Sequence, residues 1–133
     1  MKLGLKGRTA FVTGASRGIG AAIARALASE GVNLALFGRD TARCKTLAGD
    51  LTKRHPGVRA VILSLDLEKP TTIKASITKA AKALGGCDIL VNCAGIRGTV
   101  GVPVVEGDEA EWRRIFDVNT FGPFVISKRS LRT

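Results

Sequence analysis

The stretch Thr9-Ala10-Phe11-Val12-Thr13-Gly14-Ala15-Ser16-Arg17-Gly18-Ile19-Gly20 decides the fold. Thr9 to Val12 is a short apolar run of the length and composition of a buried strand, and glycines at 14, 18 and 20 follow it at once. Beyond them Ile19, Ile23 and Leu27 recur every four residues through an alanine-rich segment, one face of a helix that closes at Gly31. The same alternation repeats outward. Val32–Phe37 reads as a second strand, and Asp40 as the N-cap of a helix carrying Leu47 and Leu51, which stops at His55-Pro56-Gly57. Val58–Leu65 is the third strand; Ile73, Ile77, Ala80 and Leu84 mark the next helix, ended by Gly85-Gly86. Asp88–Asn92 is the fourth strand. A Gly/Pro-rich loop, Gly95–Gly107, leads to a last helix bearing Trp112, Ile115, Phe116, Asn119, Phe124 and Val125, which Pro123 should kink or interrupt.

Strands alternating with helices at this spacing predict parallel crossovers, hence an α/β, Rossmann-type doubly wound parallel sheet of about four strands. The strands read as continuous apolar runs, as expected when helices cover both faces. Glycines at 14, 18 and 20 then stand where a phosphate-binding turn belongs. Positions without side chains let the backbone approach a pyrophosphate at a helix N-terminus, where free N–H groups and the helix dipole favour an anion. The spacing is G-x-x-x-G-x-G rather than the commoner G-x-G-x-x-G, and a tight turn alone would also explain the glycines. The strand before, the helix after and the second strand beyond favour dinucleotide binding.

Composition narrows the rest. The chain has 133 residues, 45% hydrophobic and 24% charged, a globular mixture of single-domain size. Sixteen glycines against four prolines, without repeats, exclude collagen-like and linker-like chains. No apolar run reaches membrane-span length and the first residues lack a signal-peptide core, so a cytoplasmic protein without membrane partners is expected. Cys44, Cys87 and Cys93 are an odd number with no C-x-x-C, and His55 is the single histidine; reduced thiols and no metal site are expected. The net charge is +10, of which residues 1–66 carry +7 and residues 67–133 carry +3. The basic residues are scattered, without aromatic interleaving, which fits a solvated surface and an anionic small-molecule site better than nucleic-acid recognition.

The sequence resembles the short-chain dehydrogenases/reductases. Thr13 to Gly20 matches the T-G-x-x-x-G-I-G cofactor motif of that family, which implies that Gly14, Ser16, Arg17, Gly18, Ile19 and Gly20 bind cofactor. Asp66, with Leu67 beside it, matches the aspartate that in the family contacts the adenine ring. Asn92-Cys93-Ala94-Gly95 matches N-N-A-G except at Cys93, which has no amide to offer; Asn92, Ala94 and Gly95 are the cofactor residues so implied. Asn119, in Asp117-Val118-Asn119, matches the helix asparagine of the catalytic tetrad, which in the family holds a water next to the catalytic lysine.

Cofactor choice follows from charge. The position after the second strand faces the adenosine ribose, where an acidic residue favours a free 2′-hydroxyl and a basic one a 2′-phosphate. Arg39 stands there, and Arg17 lies on the same side, so two guanidinium groups favour NADP(H); the alternative is that Asp40 takes the ribose of NAD(H).

The family's Tyr and Lys, in Y-x-x-x-K, and its catalytic Ser follow the asparagine helix. This sequence has no tyrosine and ends at Thr133, so Asn119 is the one tetrad residue carried over. The strand order 3-2-1-4 would leave the fourth strand at an edge and the aromatic face of the last helix uncovered, which favours a homo-oligomer. The expectation is therefore a single NAD(P)-binding Rossmann domain over residues 1–133, the cofactor-binding half of an NADP(H)-dependent oxidoreductase acting on a carbonyl or alcohol. The alternative is a non-catalytic NADP(H)-binding or assembly module.

Overall fold

The computed structural model describes residues 2–131; Thr133 and the other terminal residues lie outside them. Strands β1 (Thr9–Thr13), β2 (Asn33–Gly38), β3 (Ala60–Ser64) and β4 (Ile89–Asn92) alternate with helices α1 (Gly18–Ser29), α2 (Thr41–Arg54) and α3 (Pro70–Leu84). They form one parallel sheet in the order β3-β2-β1-β4. After β4 an irregular loop with a short 3₁₀ turn (Val104–Glu106) leads to α4 (Glu109–Phe116), a π turn (Asp117–Phe121) and α5 (Gly122–Ser130). The doubly wound sheet and its strand order are as the sequence predicts.

The central strands alternate between two cores. Ala10, Val12, Leu34 and Leu36 face α1 and α2, where Cys44, Leu47 and Leu51 cover them. Phe11, Ala35 and Phe37 face the other side, against Ile73 and Ile77 of α3 and Ile126 of α5. The Phe11 and Phe37 rings meet at 5.4 Å in a tilted pair, and each fully buried side chain of this size contributes about 2–3 kcal/mol. The outer strands β3 and β4 are half-buried, because each lacks a neighbour on one side.

One local expectation is corrected. Leu27 packs half-buried against the core, but the stripe Ile19, Ile23, Leu27 is not the main packing face of α1. That face is Gly20, Ala21, Ala24 and Ala28, while Ile19 is 75% exposed. Small residues let α1 lie close on the sheet and bring its N-terminus down to the end of β1. Pro123 interrupts the last helix, as the sequence leads one to expect. It sits in the first turn of α5, and the preceding turn widens so that Gly122 N–H bonds to the Asp117 carbonyl. Proline cannot donate to the carbonyl four residues back and its ring crowds it, a conflict that a π turn relieves.

Elsewhere the local signals operate as read. Asp40 caps α2, its carboxylate accepting from Arg43 N–H at 3.0 Å. Gly85 ends α3 in the left-handed conformation (φ 82°), its N–H bonded to the Ala81 carbonyl at 2.8 Å.

Candidate functional site

At the C-terminal ends of the strands lies a cleft of about 430 Å³. Its floor is the turn between β1 and α1, where two glycines are sterically required. A Cβ on Gly14 (φ +66°) would lie 2.8 Å from the Ala94 nitrogen, and one on Gly20 would run into the Gly14 carbonyl oxygen. Gly18 meets no neighbour but holds φ +57°, a conformation other residues adopt only at a cost. Helix α1 begins at Arg17 without a side-chain cap, which leaves N–H groups of its first turn for an incoming acceptor.

Two loops form the walls. One follows β3 and presents Leu65, Asp66, Leu67 and Glu68; the other follows β4 and presents Cys93, Ala94, Gly95 and Ile96. Asp66 is pre-set by its own loop, Oδ1 accepting from Glu68 N–H at 3.0 Å. Glu68 pairs with Arg114 of α4 through two contacts of 2.5 Å and 3.1 Å. Hydrogen bonding to that guanidinium holds the Glu68 carboxyl below its ordinary range and raises Arg114 above its own.

The start of the β4 loop is tied to β1 by Thr13. Its hydroxyl oxygen accepts from the N–H groups of Cys93 and Ala94, both at 3.1 Å, and donates to the Val91 carbonyl at 3.4 Å. The side chain at position 93 is therefore not needed to hold this junction. Burial pushes the Cys44 and Cys87 thiols up, so neither is poised as a nucleophile.

The cleft continues past the end of β2 into a concavity lined by Ser16, Arg17, Arg39, Asp40 and Arg43. Both Asp40 oxygens are engaged there by Arg43, one by its backbone N–H at 3.0 Å and the other by its guanidinium Nε at 3.3 Å. Arg43 places a cation in the first turn of a helix that has no acidic residue there. The helix dipole disfavours that cation, and the Asp40 carboxylate at the N-cap offsets it.

The structure thus gathers Gly14, Ser16, Arg17, Gly18, Ile19, Gly20, Arg39, Asp66, Leu67, Ala94 and Gly95 around one cleft. Asn92 lies apart from it, its amide 3.4 Å from the Ser127 hydroxyl of α5. A one-residue step along the strand turns the side chain to the opposite face, which sends position 92 to the helix side. Asn119, on the π turn, also lies outside the cleft lining. Its carboxamide closes two hydrogen bonds on the Ile96 backbone, 2.8 Å from N–H and 2.6 Å to the carbonyl. Arg43 and Glu68 line the site outside the matched motifs, Arg114 supports it from α4 through Glu68, and Thr13, which opens the glycine motif, ties the β4 loop to β1. Arg43 was signalled by its place three residues after the N-cap; the Glu68–Arg114 pair, 46 residues apart, had no sequence signal.

No group of three or more His, Cys, Asp or Glu among the described residues could hold a metal ion. No helix among them is long and apolar enough to cross a membrane.

Known proteins share this architecture. The chain is 35% identical over 128 residues to a short chain dehydrogenase of Pseudocercospora fijiensis, a match covering 96% of this chain and 40% of the relative. L-Sorbose reductase of Gluconobacter frateurii, solved with NADPH and L-sorbose, superposes with a TM-score of 0.91 at 29% identity, covering 99% of this chain and 49% of that one. A metagenomic short-chain oxidoreductase solved with NADP gives a TM-score of 0.86 at 38% identity, covering 96% and 57%. The chain spans about half the length of the curated relatives it matches. The profile of the short chain dehydrogenase family matches residues 8–133, so the chain belongs to that family.

Proposed function

We propose that residues 1–133 form a single NADP(H)-binding Rossmann domain, the cofactor half of an oxidoreductase that moves hydride between nicotinamide and a carbonyl or alcohol. The observation that carries this reading is the continuity of a glycine-floored cleft with a concavity rimmed by three arginines. A pyrophosphate suits the floor, because α1 starts there without a side-chain cap and a Cβ at Gly18 would meet nothing, which leaves the helix N-terminus open to an anion. Arg17, Arg39 and Arg43 suit a 2′-phosphate, while Asp40 is already paired with Arg43. The neighbours solved with NADPH and NADP support the same cofactor class.

When bound, the nicotinamide supplies or takes up the hydride. The residues of this chain bind and orient it: the α1 N-terminus for the pyrophosphate, Arg17, Arg39 and Arg43 for the 2′-phosphate, Asp66 and Leu67 for the adenine, Ala94 and Gly95 for the far wall. Asn119 contributes by fixing Ile96 at the cleft wall. The part its motif implies is to hold a water beside the lysine of Y-x-x-x-K, a motif that these residues do not contain. No tyrosine is present in these residues, so the tyrosine that the family resemblance implies as general acid/base is not among them.

That observation also favours a second reading, in which the domain binds NADP(H) without turning over. Either way the free thiols Cys44, Cys87 and Cys93 suit a reducing, cytoplasmic setting. The exposed aromatics of α4 and α5, Trp112 stacked on Phe116 at 6.4 Å and Phe121 beside Phe124 at 5.9 Å, suit a homo-oligomer.

Fluorescence titration with NADPH and NADH tests the cofactor reading. NADPH should bind at least tenfold more tightly, and Arg39→Asp should reduce that ratio by roughly tenfold, the worth of one charge-assisted contact. Equal affinities that Arg39→Asp leaves unchanged would remove the 2′-phosphate assignment.

A further inference from the structure

Both walls of the cleft are irregular loops, and both meet the helical run formed by α4, the π turn and α5. Along α4 and the π turn, Glu111, Ile115 and Asn119 recur every four residues and meet the loop after β4. Glu111 Oε1 accepts from the Thr99 N–H and the Thr99 hydroxyl, each at 2.9 Å. The Ile115 Cδ1 atom is so close to Gly98 that a Cβ there would lie 2.6 Å from it. Asn119 clasps the Ile96 backbone. Three residues further on, Arg114, Val118 and Gly122 form the adjacent row and meet the loop after β3. Arg114 forks onto Glu68, Val118 is buried at the cleft, and Gly122 leaves room for Leu67, whose Cδ1 would lie 3.2 Å from a Cβ at 122.

Positions three and four apart share a helix face, so the two rows lie side by side on one helical run, and each row meets one of the two loops. We infer that Glu111 and Arg114, neither of which lines the cleft, are positioning residues that fix the spacing of its two walls and thereby its affinity for dinucleotide. This rests on the cofactor reading above. Glu111 acts through Thr99 on the β4 loop, and Arg114 acts through Glu68 on the β3 loop. Without them each loop keeps its strand anchor and its remaining contacts to the helical run, Asn119 on Ile96 and Gly122 against Leu67, but loses its charged support.

The test uses Glu111→Ala, Glu111→Gln, Arg114→Met and Thr99→Ala, read by NADPH titration and by amide hydrogen exchange of residues 95–100 and 65–69. Glu111→Ala and Arg114→Met should each weaken NADPH about fivefold, the worth of roughly one hydrogen bond or exposed ion pair. Each should also speed exchange in its own loop only. Glu111→Gln keeps an oxygen that accepts both Thr99 bonds and should stay within about twofold of the unaltered chain. Thr99→Ala removes the hydroxyl from the loop side and keeps the inference testable if the helix variants fold poorly; about twofold weaker binding is expected. Unchanged NADPH affinity in folded Glu111→Ala and Arg114→Met, or a Glu111→Gln loss as large as that of Glu111→Ala, overturns the inference alone. Absence of NADPH binding by the unaltered chain overturns the cofactor reading and the inference with it.

Discussion

Replacing Thr13 by valine probes the junction on which the cleft is built. Valine matches threonine in shape, so packing at this 1% exposed position is kept and only the hydroxyl is lost. Three hydrogen bonds go with it. The bond to the Val91 carbonyl, at 3.4 Å, is long and worth little. The two accepted from Cys93 and Ala94, at 3.1 Å, matter more, because their removal leaves two partly buried N–H groups without an acceptor. Each such group costs about 1–2 kcal/mol, so Thr13→Val should lower the unfolding free energy by about 2–4 kcal/mol. Thr13→Ser keeps the acceptor and loses one methyl, a cost of about 1 kcal/mol. Urea unfolding followed by far-UV circular dichroism measures both. Serine and valine variants equally destabilised, or a valine variant within about 0.5 kcal/mol of the unaltered chain, would refute the assignment of Thr13 as the tie between β1 and the β4 loop.

Gly20→Ala should prevent the close approach of α1 to β1; overpacking of this kind costs about 1–3 kcal/mol or more, read as a lower thermal midpoint, with NADPH affinity lost together with it. Trp112→Ser with Phe116→Ser should shift the chain towards smaller species by sedimentation, because the two rings are 51% and 57% exposed and form one apolar patch; an unchanged distribution would place any self-association elsewhere. Arg114 lowers the Glu68 pKa, so the pair contributes stability above the ordinary Glu range and loses it as pH falls through the lowered value. The midpoint difference between the unaltered chain and Arg114→Ala should therefore shrink below about pH 4.

The sheet could be read before it was seen because its signals are local. Apolar runs such as Leu34–Phe37, the cap at Asp40 and the stop at Gly85 each act within a few residues of chain. Packing faces are less legible when small residues carry them. In α1 the large residues Ile19 and Ile23 mislead, since contact with the sheet is made through Gly20, Ala21 and Ala24. The π turn was hidden because Pro123 signals a disturbance but not which hydrogen-bond register resolves it. In the candidate site the glycines and Arg39 stand on turns whose position the strand–helix rhythm dictates. Thr13 and Glu68 depend on partners dozens of residues away, and nothing near them in the chain names those partners. Asn92 was drawn toward the cleft by its motif, whereas alternation along β4 points its side chain to α5.

Backbone amide chemical-shift mapping of the chain on titration with NADPH tests the central claim most directly, because it reports where the dinucleotide sits as well as whether it binds. Saturable shifts should concentrate at Gly14–Gly20, Arg39–Arg43, Asp66–Glu68 and Cys93–Ile96, the residues that surround the cleft and its arginine rim. Shifts confined to other surfaces, or none at millimolar NADPH, would contradict the account.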